Sequence, residues 1–164
     1  MCINNGCLFF GITCKMEKEC FSSKSYCELI ITSQEINPQT ISEQLNITPS
    51  RSYVKGEAFS SKHSGTQGKR FQHLWALQSQ VVLSEEESIS GHIQFFRNTL
   101  KLKIPVLKLF KKSNQFEITF RIWIESENDE ISTELLSPDV SFLNKISDSI
   151  IFSLFADISS VTEP

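Results

Sequence analysis

Residues 115–126 read QFEITFRIWIES. Phe116, Ile118, Phe120, Ile122 and Ile124 recur at every second position, the period at which side chains share one face of a β-strand. The other face carries Glu117, Arg121 and Trp123, so one side of this strand meets a core and the other does not. A strand of that kind belongs to a sheet covered by helices on a single face.

The flanking sequence supplies the covering helices. Upstream, Ser84 with Glu87 three residues later has the form of a capping box, and Ile89, Ile93, Phe96 and Leu100 follow at helical spacing. Pro105 cannot continue that helix, so a second one restarts there and runs to Lys112. Lys101, Lys103, Lys108, Lys111 and Lys112 alternate with apolar residues, as on the solvated side of an amphipathic helix. Downstream comes an acidic loop, Glu125 to Glu134. Ser137 as N-cap and Pro138 at N1 then open a helix carrying Val140, Leu143 and Ile146, and SIIFSLFADI (149–158) closes as a strand.

The first half has a similar order. SYCELIIT (25–32) alternates, with Tyr26, Glu28 and Ile30 on one face and Cys27, Leu29 and Ile31 on the other. Asn37 caps a short helix begun by Pro38, with Ile41 and Leu45 on one side and an end near Asn46. Thr48-Pro49-Ser50 turns the chain, Ser52 to Ala58 reads as a strand, and Ser60 to Lys69 reads as a polar loop. Arg70 to Val82 alternates again, placing Phe71, His73, Trp75 and Leu77 together. The expected fold is α+β: an antiparallel or mixed sheet with helices packed on one face, in a duplicated β-α-β order related to the ferredoxin-like layout. Residues 25–158 form the single domain, residues 1–24 an irregular leader and residues 159–164 a tail.

Composition narrows the function. The 164 residues are 40% hydrophobic and 21% charged, which suits one globular domain and no disordered chain. No stretch is long and apolar enough for a membrane span. Up to Phe116 there are 14 Lys and Arg against 9 Asp and Glu, and afterwards 2 against 10. That polarisation suits a surface that meets a charged partner and, more plainly, two halves of one fold that pack together and satisfy each other, while an overall pI near 5.6 argues against nucleic acid.

All five cysteines fall within the first 27 residues, without a C-x-x-C and with no histidine before His63, so neither a zinc site nor a disulfide framework is read there. CLFFGITC (7–14) is short for a signal-peptide core and no basic residue precedes it, which makes the cytoplasm the default location. Met16 is an alternative start, with Met1 to Lys15 then outside the protein.

In order along the chain, INPQTISEQLNITPSRSYVKGE (36–57), HLWALQSQ (73–80), GHIQFF (91–96) and LLSPDVSFLNKI (135–146) resemble the bacterial family of domain of unknown function 4279. The resemblance spans Tyr26 to Asp157. It implies a small stand-alone bacterial α+β domain without an established activity, and it raises the role of an immunity protein beside a secreted toxin. Asn46 stands where the pattern often has Gly, and Asn also tolerates the left-handed helix cap.

No catalytic constellation is visible. His63, His73 and His92 show no metal-ligand spacing, the carboxylates of 125–134 lack the alternate oxygens and glycine of a calcium loop, and Gly65 and Gly68 belong to no phosphate loop. No cofactor or metal is expected. The sequence therefore points to a non-enzymatic cytoplasmic module that binds another protein, such as a toxin. Glu125, Glu127, Asp129 and Glu130, with Asp139 and Asp148, would form its acidic surface. Lys55 and Glu57 of a tight turn and Trp75 are the other surface candidates, against the plainer possibilities of a hairpin connection and a core tryptophan. The alternative is a small-ligand or nucleotide module with a pocket between sheet and helices, lined by Trp75, Arg51 and Arg70.

Overall fold

Two of the alternating stretches pair with each other and make the centre of a five-stranded sheet. The computed structural model describes residues 23–60, 65–126 and 133–156; the remainder of the expected leader and the tail lie outside them. The elements in chain order are β1 (Ser23–Ser33), α1 (Pro38–Leu45), β2 (Arg51–Tyr53), β3 (Ala58–Ser60), β4 (Gln67–Lys69), β5 (His73–Gln78), a 3₁₀ turn (Ser79–Val81), α2 (Ile89–Leu100), α3 (Ile104–Lys112), β6 (Glu117–Ser126), α4 (Ser137–Ile146) and β7 (Ser149–Ala156). The sheet order is β2-β5-β1-β6-β7, and β3 with β4 forms a separate hairpin. β1 runs antiparallel to both β5 and β6, β2 is antiparallel to β5, and β6 with β7 is parallel.

The α+β class and the one-sided cover both hold. Cys27, Leu29 and Ile31 of β1, Trp75 and Leu77 of β5, and Ile118, Phe120, Ile122 and Ile124 of β6 form one buried cluster. Into it each helix sends its apolar stripe: Ile41 and Leu45 from α1, Ile93, Phe96 and Leu100 from α2, Leu107 and Phe110 from α3, and Phe142, Leu143 and Ile146 from α4. Phe96 meets Phe120 edge-on with centroids 5.0 Å apart, the geometry that ring quadrupoles favour. Two β-α-β units are present, and they differ in spacing. β1-α1-β2 is split by β5, whereas β6-α4-β7 joins adjacent strands.

Local chemistry sets the boundaries. Asn37 Oδ1 accepts the Gln39 N–H at 2.9 Å, and Asn46 closes α1 at φ 48°, ψ 48°. At α2 the cap lies four residues beyond the expected Ser84: Ser88 Oγ accepts the Gly91 N–H at 3.1 Å. The reason lies in β1. Ser25 donates its N–H to the Glu85 carbonyl (2.6 Å) and its hydroxyl to the Glu87 carbonyl (3.0 Å), which ties 85–87 to the strand and out of the helix. α4, by contrast, starts one residue early, with Leu136 at the cap and no side-chain hydrogen bond there.

The strand expected at 52–58 divides into β2 and β3, because Gly56 at φ 85° lets the backbone reverse. The polar stretch 60–69 contributes β4, whose Gly68 lies under the Phe59 ring, where a Cβ would come within 3.0 Å. The strand expected at 70–82 shortens to β5. Phe71 falls outside it and is 73% exposed, away from the face that Trp75 and Leu77 share.

Candidate functional site

Among the described residues every helix packs on one side, and the opposite face of the sheet carries none of them and presents its own side chains. The registers place them in rows. Arg51, Ala76, Ile30, Thr119 and Ser149 lie in line, as do Gln78, Glu28, Arg121 and Ile151, and then Tyr26, Trp123 and Ser153.

At the middle of this face Glu28 is only 1% exposed, an uncommon state for a carboxylate. It is held by polar neighbours from three other strands. Arg51 Nη2 donates to its Oε1 at 2.7 Å, Gln78 Nε2 donates to the same oxygen at 3.1 Å, and Arg121 Nη1 stands 3.9 Å from Oε2. One buried carboxylate thus holds one guanidinium by a hydrogen bond and stands within ion-pair reach of a second on the same surface. Arg121 Nε is buried without a hydrogen bond among the described residues. Beside this trio lies a basin of about 330 Å³, lined by Arg51 and Arg121, Thr32 and Thr119, Tyr53 and Gln72, with Ile30, Leu74 and Ile151 among its apolar lining and Glu117 also in the wall.

Towards the other end the surface becomes aromatic. Tyr26 stacks on Trp123 with centroids 5.1 Å apart, and Phe155 packs against the same indole at 5.4 Å. Burial, with the Glu28 carboxylate adding to it, pushes the Tyr26 phenol above its usual pKa, so it stays a neutral hydrogen-bonding group at any physiological pH. Glu125 and Lys24 pair across β6 and β1 in the next row, at the point where the chain passes into the acidic stretch.

The family model for domain of unknown function 4279 matches residues 23–155. The chain belongs to this family. No curated protein and no solved structure matches the chain. The match takes in every described helix and all but the last residue of the described strands, so the open sheet face is a feature of the domain of unknown function 4279 as this chain builds it.

The residues singled out in the sequence fall in different places on that domain. Arg51 is at the site. Trp75 is not: it is fully buried on the helix side, with its Nε1 donating to Ser42 Oγ at 3.0 Å, which corrects its candidacy as a surface or pocket residue. Between sheet and helices the described residues pack as core, and the basin beside Arg51 and Arg121 lies on the opposite face. Arg70 clips the hairpin to the sheet edge, its guanidinium 4.2 Å from the Tyr53 ring centroid and 4.3 Å from that of Phe59.

Lys55 and Glu57 shape their own turn. The Lys55 N–H is donated to His73 Nδ1 at 3.1 Å, its ammonium reaches the Gln34 carbonyl at 3.3 Å, and Glu57 Oε2 accepts the Val54 N–H at 3.0 Å. Asp139 and Asp148 are not free acidic surface either. Asp139 is nine-tenths buried against Arg97 Nη2 at 2.6 Å, and Asp148 Oδ2 accepts the Ile118 N–H at 3.0 Å. Glu125 lies on the open face, and Glu127, Asp129 and Glu130 lie outside the described residues. Glu28, Arg121, Trp123 and Tyr26 were missed as a site. Their alternation on the face away from the core was visible, but their mutual contact was not.

Two buried groups on the helix side have other consequences. Burial pushes the Cys27 thiol up to about 12, so no nucleophilic thiolate exists there near neutrality. His92 is fully buried, and neither ring nitrogen has a hydrogen bond of normal geometry among the described residues. Burial holds its pKa below 6.5, with the Glu87 carboxylate opposing only in part. Below pH 6.5 the unfolded chain therefore takes up a proton that the folded one refuses. The contribution of His92 to stability is full above that pH and is lost as the pH falls towards the folded-state value. A His92→Leu variant is expected to show a shallower fall in Tm between pH 7.5 and 5.5 than the parent, and parallel curves would refute the assignment.

Proposed function

We propose that the protein is a non-enzymatic recognition domain that binds another protein on the open face of its sheet, acting in the cytoplasm, with neutralisation of a toxin as its most concrete form. The observation that carries this reading is the sheet face, free of helices among the described residues, on which Glu28 holds Arg51 and stands close to Arg121 beside the Tyr26–Trp123–Phe155 cluster. Arg, Tyr and Trp are the residue types that dominate binding energy at interfaces, and side chains already held in place lose little entropy when a partner arrives. Glu125 stands at one end of the same face, which favours a partner with a basic rim.

Purification of the tagged chain from its native cells, at low and high salt, tests this reading when repeated with Trp123→Ala, Arg121→Glu and Leu109→Ser. Leu109 is an exposed residue of α3 and serves as the control. The expected result is one stoichiometric partner, inhibited when bound, that the first two variants lose and the third keeps. A partner that all three variants retain, or a chain that emerges alone, would overturn the reading.

The basin supports a second reading. At about 330 Å³ it is near the lower limit of small-molecule sites, and two guanidiniums with two threonine hydroxyls suit a carboxylate or phosphate group. A metabolite at about 100 times its Kd would then stabilise the fold by about 2.7 kcal/mol in a thermal-shift screen.

A further inference from the structure

The two edges of the sheet differ in kind. β2 is three residues long and carries Arg51, the short, charged sort of edge that resists pairing with another chain. β7 is eight residues long and reads SIIFSLFA, without a charge or a proline. A long apolar strand with neither charge nor proline has none of the devices that keep a sheet edge from pairing with another chain. β6 is the only strand neighbour of β7 among the described residues, and Ile151, Phe152, Leu154 and Phe155 are 42–52% exposed.

We infer that β7 is the contact edge of a homodimer, pairing antiparallel with β7 of a second copy about a two-fold axis perpendicular to the sheet. This geometry requires that paired residues share a face, which the sequence satisfies without placing one charge against another. Pairing centred on Phe152 sets it against its counterpart and Ile150 against Leu154 on the helix side, with Ile151 against Ser153 on the open side. The result is a continuous ten-stranded sheet, and both open faces then look the same way.

Four half-exposed large side chains offer on the order of 350 Å² of apolar surface per copy. Together with the strand backbone, that places the contact at or below the low end of stable interfaces, which bury about 1,200–2,000 Å² in total, so a reversible dimer rather than a permanent one is expected.

Sedimentation of the full chain between about 1 and about 100 µM tests the inference. A monomer–dimer equilibrium is expected, with Phe152→Lys and, separately, Leu154→Lys weakening it at least about 30-fold, the size of a hot-spot loss, while the far-UV spectrum and Tm of the monomer are kept. Hydrogen exchange of the unmodified chain gives a reading that does not depend on the variants folding. β7 amides that do not bond to β6 should be protected at high concentration and not at low. A chain that is monomeric throughout, β7 amides protected at every concentration as they would be under the chain's own remaining residues, or a dimer that survives both substitutions would each overturn the inference.

Discussion

Replacing Trp75 with alanine is expected to lower the free energy of unfolding by about 3–5 kcal/mol, the cost of removing a fully buried large aromatic side chain from a packed core. Domains of this size have about 5–15 kcal/mol in all, so the variant stands near the limit of folding. The loss has two parts. Most of it is the volume left unfilled in the buried cluster between β5 and α1, which backbone strands and a helix cannot close. The rest is the Nε1–Ser42 hydrogen bond between β5 and α1, which Trp75→Phe removes while filling much of the space, so that variant should lose less than half as much. Equilibrium urea unfolding at constant m-value separates the two. A Trp75→Ala variant within about 0.5 kcal/mol of the parent would mean that the indole is on the surface after all.

That outcome bears on what can be read from a chain before its fold is known. An alternating strand assigns residues to two faces but does not say which face meets the core. For 115–126 the chemistry decides, since five large apolar residues stand against Glu117 and Arg121. For 70–82 both faces carry apolar residues: Leu74 and Ala76 end on the open side in a small cluster with Ile30, and Trp75 and Leu77 end under the helices. The caps at Asn37 and Asn46 were legible because a cap is local chemistry. The cap at Ser84 was misplaced because its competitor, the bond from Ser25 to the 85–87 segment, joins residues sixty positions apart.

The site was illegible for the same reason. Glu28, Arg51, Gln78 and Arg121 sit on four different strands, and only the order β2-β5-β1-β6 brings them together. Each looks unremarkable in its own segment. The acidic residues drew attention because they are clustered in sequence, yet Asp139 and Asp148 are occupied in holding α4 and β6, as Lys111 of the basic stretch is in donating to the Asn144 and Ser147 carbonyls at the end of α4. Clustering along the chain therefore overstated the charged surface, and its neutralisation within the fold accounts for part of the polarisation between the two halves.

Removing Arg51 is expected to destabilise the fold by about 2–3 kcal/mol, more than an ordinary surface ion pair is worth. An exposed pair contributes about 0–1 kcal/mol because water solvates either partner once the other is gone. Here the two partners differ: the Arg51 side chain is 47% exposed and the Glu28 side chain 2%. In Arg51→Ala the carboxylate keeps one hydrogen bond, from Gln78 at 3.1 Å, and an Arg121 guanidinium at 3.9 Å that is too distant to replace the lost donor. Leaving a buried charge without its partner costs about 3–5 kcal/mol in closed interiors, and the nearby basin admits water that lowers the figure. If the cost is that of a stranded charge, neutralising the charge recovers part of it. Glu28→Gln in the Arg51→Ala background should therefore be more stable than Arg51→Ala alone, with a coupling of about 1–2 kcal/mol in the double-mutant cycle. A coupling indistinguishable from zero would show that Glu28 is solvated in solution, and with it would go the fixed placement of Arg51 on which recognition through the open face draws.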